Sequence, residues 1–176
     1  MDSAARGADS SSPSVELSPH QTPISNPSLA ARSGEAFSLL RVHRRVIDGV
    51  IAQARRAAPC ECCGVLLARD REILWFEPVR NLSDDSSRFD ADPLGLLRVE
   101  QDAGRKSRAI IGYYHSHPLG DPRPSSTDRT GRIWPELPPY LHLIVSPDGR
   151  WVMYNMRDDA WTRVEVELFD AGPTAA

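Results

Sequence analysis

The chain has 176 residues, 40% of them hydrophobic, and a formal net charge of -3. That supplies apolar material for one domain with its own core, while the unclustered, slightly acidic charge leaves no electrostatic footprint for nucleic acid. No apolar run approaches membrane-spanning length and none has the form of a signal-peptide core, so a soluble cytoplasmic protein with no membrane partner is expected.

Met1 to Gly34 are rich in Ser, Pro and Ala and nearly lack aromatic or periodic apolar residues. Such a stretch cannot offset the entropy of ordering, so 1–34 is expected to be a disordered tail, and a translation start inside it would cost the fold nothing. The domain is placed at 35–170, with 171–176 as a frayed end. Phe37 to Val42 is short and apolar enough for a first strand. Val46, Ile47, Val50, Ile51 and Ala54 then fall at helical spacing, and Pro59 stops that helix.

Cys60, Cys62 and Cys63 surround Glu61. Three thiols in one cluster cannot make a four-thiolate zinc site, and no second pair exists, so they are expected to be small, mostly buried residues. Glu61 is different: a charge at the mouth of an apolar strand has no packing reason to be there. Gly64 to Ala68 and Glu72 to Pro78 flank Arg69-Asp70-Arg71 and predict an antiparallel hairpin in which Trp75 and Phe76 pack. Asn81 to Phe89 is polar and turn-rich, a loop that borders a cleft, with solvated aspartates. Asp92-Pro93 predicts a helix start, leading into Leu94, Leu97 and Gln101.

Ala109 to Tyr114 is a β-rich run that ends in His115-Ser116-His117. A strand sends residues i and i+2 to one face, so both imidazoles converge on one point. The Pro- and Gly-rich loop that follows can bring Asp128 back towards them. Two imidazoles and a carboxylate are ligands that Zn²⁺ prefers, and three protein ligands leave the open fourth position of a catalytic site. A metal hydrolase also needs a proton acceptor for its water, and Glu61 is the isolated carboxylate available. A short helix is predicted over Ser126 to Trp134, capped by Ser126 and ended by Pro135. Leu141 to Val145 is the next strand, in which His142 is structural. Pro147-Asp148-Gly149 is a turn, and Trp151 to Asn155 and Trp161 to Leu168 are closing strands. The fold class is α/β, a mixed sheet with flanking helices, without alternating βαβ units throughout and without internal repeats.

Pro-x-Glu61-x-Cys63-Gly64-x-Leu-Leu, then Tyr114-His115-Ser116-His117-Pro118, then Pro124-Ser125-x-x-Asp128 closely resembles the JAMM (JAB/MPN+) metallopeptidase family, in particular its compact prokaryotic members, over roughly Phe37 to Leu168. The resemblance implies a JAB/MPN-like fold, related in outline to cytidine deaminases. It implies that His115, His117 and Asp128 ligate one zinc per chain, that Glu61 is the general acid/base and that Ser125 helps to stabilise the oxyanion. Eukaryotic members carry large insertions beside the motif, whereas only residues 129–140 separate Asp128 from the next strand here. The expected substrate is therefore the C-terminal Gly-Gly of a ubiquitin-like or sulfur-carrier protein. It would add as a strand in a groove beside Tyr113-Tyr114 and the 81–89 loop. Two alternatives come from other classes. A non-catalytic MPN scaffold characteristically lacks part of the ligand set, all of which is present here. A zinc deaminase would need Cys60 and Cys63 as ligands. Nothing in the sequence indicates an oligomeric state.

Overall fold

A computed structural model describes residues 39–130, 141–157 and 160–170. The tails expected at 1–34 and 171–176 lie outside the described residues, as does 131–134 of the short helix expected before Pro135. Eight strands form one sheet: β1 (Leu40–His43), β2 (Cys63–Arg69), β3 (Glu72–Val79), β4 (Ala109–Ser116), β5 (Leu141–Val145), β6 (Trp151–Arg157), β7 (Ala160–Arg163) and β8 (Val166–Phe169). Their spatial order is β7-β6-β5-β4-β2-β3-β1-β8. The pairs β1–β3, β1–β8 and β4–β5 are parallel and the other pairs antiparallel, so the sheet is mixed. The described helices are α1 (Arg44–Ala57), α2 (Pro93–Arg105) and α3 (Ser126–Thr130).

The sheet buries both faces because β2 and β4 are apolar at successive positions. On one face Leu66 of β2 and Tyr114 of β4 join a cluster with Val46, Ile47, Val50, Ile51 and Ala54 of α1. On the other, Cys63, Val65, Leu67 and Tyr113 pack with Leu96 and Ala103 of α2. The one-residue alternation of a strand thus divides a continuous apolar run between two cores. Gly49 in α1 is explained by this packing. A Cβ there would collide with the Phe76 ring of β3, so the glycine trades helix propensity for close approach of helix and sheet.

The predicted single strand from Trp161 to Leu168 is two strands. β7 pairs with β6 at one edge of the sheet, and β8 pairs with β1 at the other. Only Val164 and Glu165 separate them, so the two edges approach and the sheet curls towards closure. Val164 N–H donates to Met153 O of β6 (2.9 Å), and Leu40 N–H of β1 donates to Glu165 O (3.1 Å). Apolar periodicity continues through this switch, which is why the sequence reads as unbroken.

Three other expectations change. The buried face of α2 is Leu96 and Ala103, while Leu94 and Leu97 are 63% and 46% exposed. Both stripes obey helical spacing, and the packing on β2 and β4 selects the first. α3 is capped by Ser125, one residue earlier than predicted. Ser125 and Asp128 form a reciprocal capping box, Asp128 N–H donating to Ser125 Oγ (3.1 Å) and Ser125 N–H to Asp128 Oδ2 (2.6 Å). Finally, Tyr113 and Tyr114 are buried, and β4 is hydrogen-bonded on both sides, by β2 and by β5. Among the described residues β4 therefore offers no free edge, so a substrate strand cannot add to β4 itself.

Candidate metal centre

The antiparallel pairing of β2 with β4 sets Cys63 opposite His115. The pairing continues one step past the strands: Ser116 N–H donates to Cys62 O (3.0 Å) and Cys62 N–H to the fully buried Ser116 Oγ (2.9 Å). Glu61, one residue further, is thereby carried to the side of the His115–His117 pair. The loop after His117 is held by the β5–β6 turn. His117 N–H donates to Val145 O (2.9 Å), and Ser146 Oγ donates to Gly120 O (2.7 Å). It delivers α3, and with it Asp128.

The three predicted ligands meet. His115 Nε2 lies 3.1 Å from His117 Nε2 and 3.3 Å from Asp128 Oδ1, and His117 Nε2 lies 3.3 Å from Asp128 Oδ2. Donors bound about 2.0–2.1 Å from one tetrahedral Zn²⁺ are separated by about 3.3–3.4 Å, so these three fit one face of such a tetrahedron. Among the described residues their donor atoms all lie within 4.8 Å of one another, close enough that they could hold a metal ion. His117 Nδ1 lies 2.9 Å from Asp121 O. A carbonyl only accepts, so Nδ1 carries the proton and the Nε2 lone pair points into the centre, the outer-shell arrangement usual for a metal-ligating histidine. The Phe89 ring stacks on His115 at 4.8 Å and 27°.

Electrostatics separates the roles. The imidazoles and the Ser125 N–H outweigh burial and hold the Asp128 carboxyl well below the usual carboxylate range. Burial lowers His115. For His117 burial is outweighed by Asp128 and the Asp121 carbonyl, which raise it. Glu61, 8% exposed, behaves in the opposite way to Asp128. Burial first, with the Asp128 and Asp85 charges and against His117, pushes its carboxyl up to about 7, the range suited to exchanging protons near neutral pH.

The thiols take no part. Cys63 directs its Sγ to Val79 O (3.6 Å), and burial pushes it up to about 12. Cys62 is buried, whereas Cys60, expected to be covered, is exposed. The Cys60–Cys63 ligand pair that a deaminase requires therefore does not form. His142 is buried in β5 outside the triad, as expected. Ser116, Asn81 and Asp121 support the site but were not singled out from sequence, because each acts through a distant backbone or ring. The sole signal was their place within or beside the motif segments.

Two histidines and an aspartate grouped at one end of a curled mixed sheet, with a buried glutamate beside them, are the arrangement of a metal-dependent hydrolase of the JAB/MPN type. The family model described as prokaryotic homologs of the JAB domain matches residues 43–163, and the chain belongs to that family as a JAMM-type peptidase. It is 34% identical to a desampylase of Haloferax volcanii over 131 residues, 69% of this chain and 90% of that one. It is 26% identical to a CysO-cysteine peptidase of Mycobacterium tuberculosis over 130 residues, 72% and 80% of the two chains. The solution structure of protein DSY2949 from Desulfitobacterium hafniense superposes with a TM-score of 0.66 at 26% identity, covering 75% of this chain and 94% of that one. No described helix is long and apolar enough to cross a membrane.

Proposed function

We propose that this chain is a zinc-dependent peptidase that hydrolyses the amide bond after the C-terminal Gly-Gly of a ubiquitin-like or sulfur-carrier protein, and that residues 35–170 form the unit that does so. The observation that carries the proposal is the tetrahedral spacing of His115, His117 and Asp128 beside Glu61. One Zn²⁺ bound by those three residues supplies a Lewis acid that polarises the scissile carbonyl and makes water acidic enough to attack near neutral pH.

Glu61 takes the proton of the attacking water and returns it to the leaving amine, roles that require a carboxyl titrating near 7. The Ser125 oxygen already accepts Asp128 N–H, so its own O–H proton is left to donate to the oxyanion. His117, kept in one tautomer by the Asp121 carbonyl, keeps its Nε2 lone pair aimed inward. No covalent intermediate with the enzyme is needed. The names of the Haloferax and Mycobacterium relatives, the latter a peptidase of a CysO–cysteine adduct, support the substrate class.

The test is to incubate zinc-loaded protein with carrier–cysteine adducts, carrier–lysine isopeptides and lysine-linked diubiquitin, following products by mass. Cleavage of either carrier substrate after Gly-Gly is expected. Cleavage of diubiquitin with neither carrier touched would overturn the substrate assignment and leave the hydrolase.

A further inference from the structure

Asn81, two residues past the end of β3, makes four side-chain hydrogen bonds. Its Nδ2 donates to Glu61 O (3.0 Å) and Arg88 O (3.1 Å), and its Oδ1 accepts from Ser83 N–H (2.9 Å) and Asp90 N–H (2.8 Å). A primary amide has two N–H donors and two lone pairs, so this side chain is saturated. Around it the loop is closed by Leu82 N–H to Asp90 O (2.7 Å), by Asp92 N–H to Arg80 O (2.9 Å) and by an isolated bridge between Asn81 and Ala91. The closed loop carries two groups that bear on the site: Phe89, stacked on His115, and Asp85, whose charge acts on Glu61.

Three of the four bonds shape the loop itself, and the one to Ser83 is an ordinary Asx turn. The fourth is not local. Loop closure does not need the Glu61 carbonyl, yet one of only two donors is committed to it. Glu61 lies in the irregular segment between α1 and β2, where no strand neighbour is available for its backbone. On its C-terminal side the chain is tied to the ligand strand through Cys62 and Ser116. On the loop side the tie is Asn81.

We infer that Asn81 is a positioning residue for Glu61, joining the 82–90 loop and the general acid/base into one unit whose geometry relative to His115 is fixed. The inference rests on the role proposed for Glu61. A small misplacement of a proton-transferring carboxylate is costly in rate even when every catalytic group is present, so the effect belongs in turnover and not in metal binding.

The test compares full-length wild type with Asn81→Asp and Asn81→Ala. Asn81→Asp keeps both acceptor bonds, and hence the turn, but can donate neither to Glu61 O nor to Arg88 O; of these only the Glu61 bond reaches the Glu61–Cys62 peptide, whose exchange is read, so it decides the matter if Asn81→Ala fails to fold. Three quantities are measured: amide hydrogen exchange at Cys62, zinc content, and kcat and KM on a carrier–cysteine adduct. In Asn81→Asp the Cys62 amide should exchange faster by about fivefold to tenfold. Zinc content should be unchanged, and kcat should fall by about 10- to 100-fold with KM within about twofold. Unchanged Cys62 exchange, unchanged kcat, or loss of zinc would each overturn the inference, the first two assigning Asn81 a purely structural role whatever happens to the melting temperature. If wild type cleaves no carrier probe, the substrate assignment fails separately. Exchange at Cys62 then decides on its own: acceleration upholds the tie to Glu61, and its absence removes it.

Discussion

Glu61 is a residue the chain holds against its own stability. Burial raises its carboxyl from 4.5 to about 7, so between those values the folded chain holds a proton that the unfolded chain has lost. Its contribution is therefore fully present below about 4.5 and lost as pH rises through about 7. In chelator-treated protein, Glu61→Gln and wild type should melt together at pH 4. At pH 8 the variant should melt higher, by about 2–4 °C after allowance for solvent screening at the cleft mouth. Equal melting temperatures at pH 8 would mean that the carboxylate is solvated and not poised. The grouping of His115, His117 and Asp128, with Glu61 near them, was legible from sequence because motif spacing and strand alternation report it locally. Ser116 and Asn81 were not, since their partners lie 54 and 20 residues away and only the fold brings them together.

At the scale of elements, α1, the β2–β3 hairpin and β5 were legible from apolar periodicity and from Pro59, whereas the buried stripe of α2 was not. Leu94 and Leu97 satisfy helical spacing as well as Leu96 and Ala103 do, and only contact with the sheet separates them. The helix cap at Ser125 was missed because Ser125 and Ser126 are adjacent and both are good caps. β5 carries a testable cost. His142 is buried against Tyr113 and Trp161, with ring centroids 5.6 and 4.4 Å away, and its Nε2 has no hydrogen-bond partner among the described residues. Burial lowers its imidazole to about 4. Below its ordinary value of 6.5 the unfolded chain takes up a proton that the folded chain refuses, so stability is complete above that pH and is lost as pH falls towards 4. His142→Leu should reduce the loss of unfolding free energy between pH 7.5 and pH 4.5 by on the order of 2 kcal/mol. Denaturant titrations at the two pH values measure it, and an unchanged difference would remove His142 as an acid-sensitive group.

At the scale of the molecule, curling of the sheet was invisible in the sequence, because the two residues between β7 and β8 interrupt no apolar pattern. It matters to the site only indirectly, by fixing β1 and β6 across a shared core. The class of the chain was legible long before its topology, since three segments far apart in sequence carry residue types that make chemical sense only together. What joins them is the proposed division of labour, in which His115, His117 and Asp128 would hold the metal and Glu61 would move the proton. The most direct test is turnover of Glu61→Gln at measured zinc content, using whichever carrier substrate wild type cleaves. One zinc per chain should be retained while turnover falls by about 10² or more, because the amide can still hydrogen-bond water but cannot accept its proton. Turnover within a few-fold of wild type at equal zinc would contradict the division.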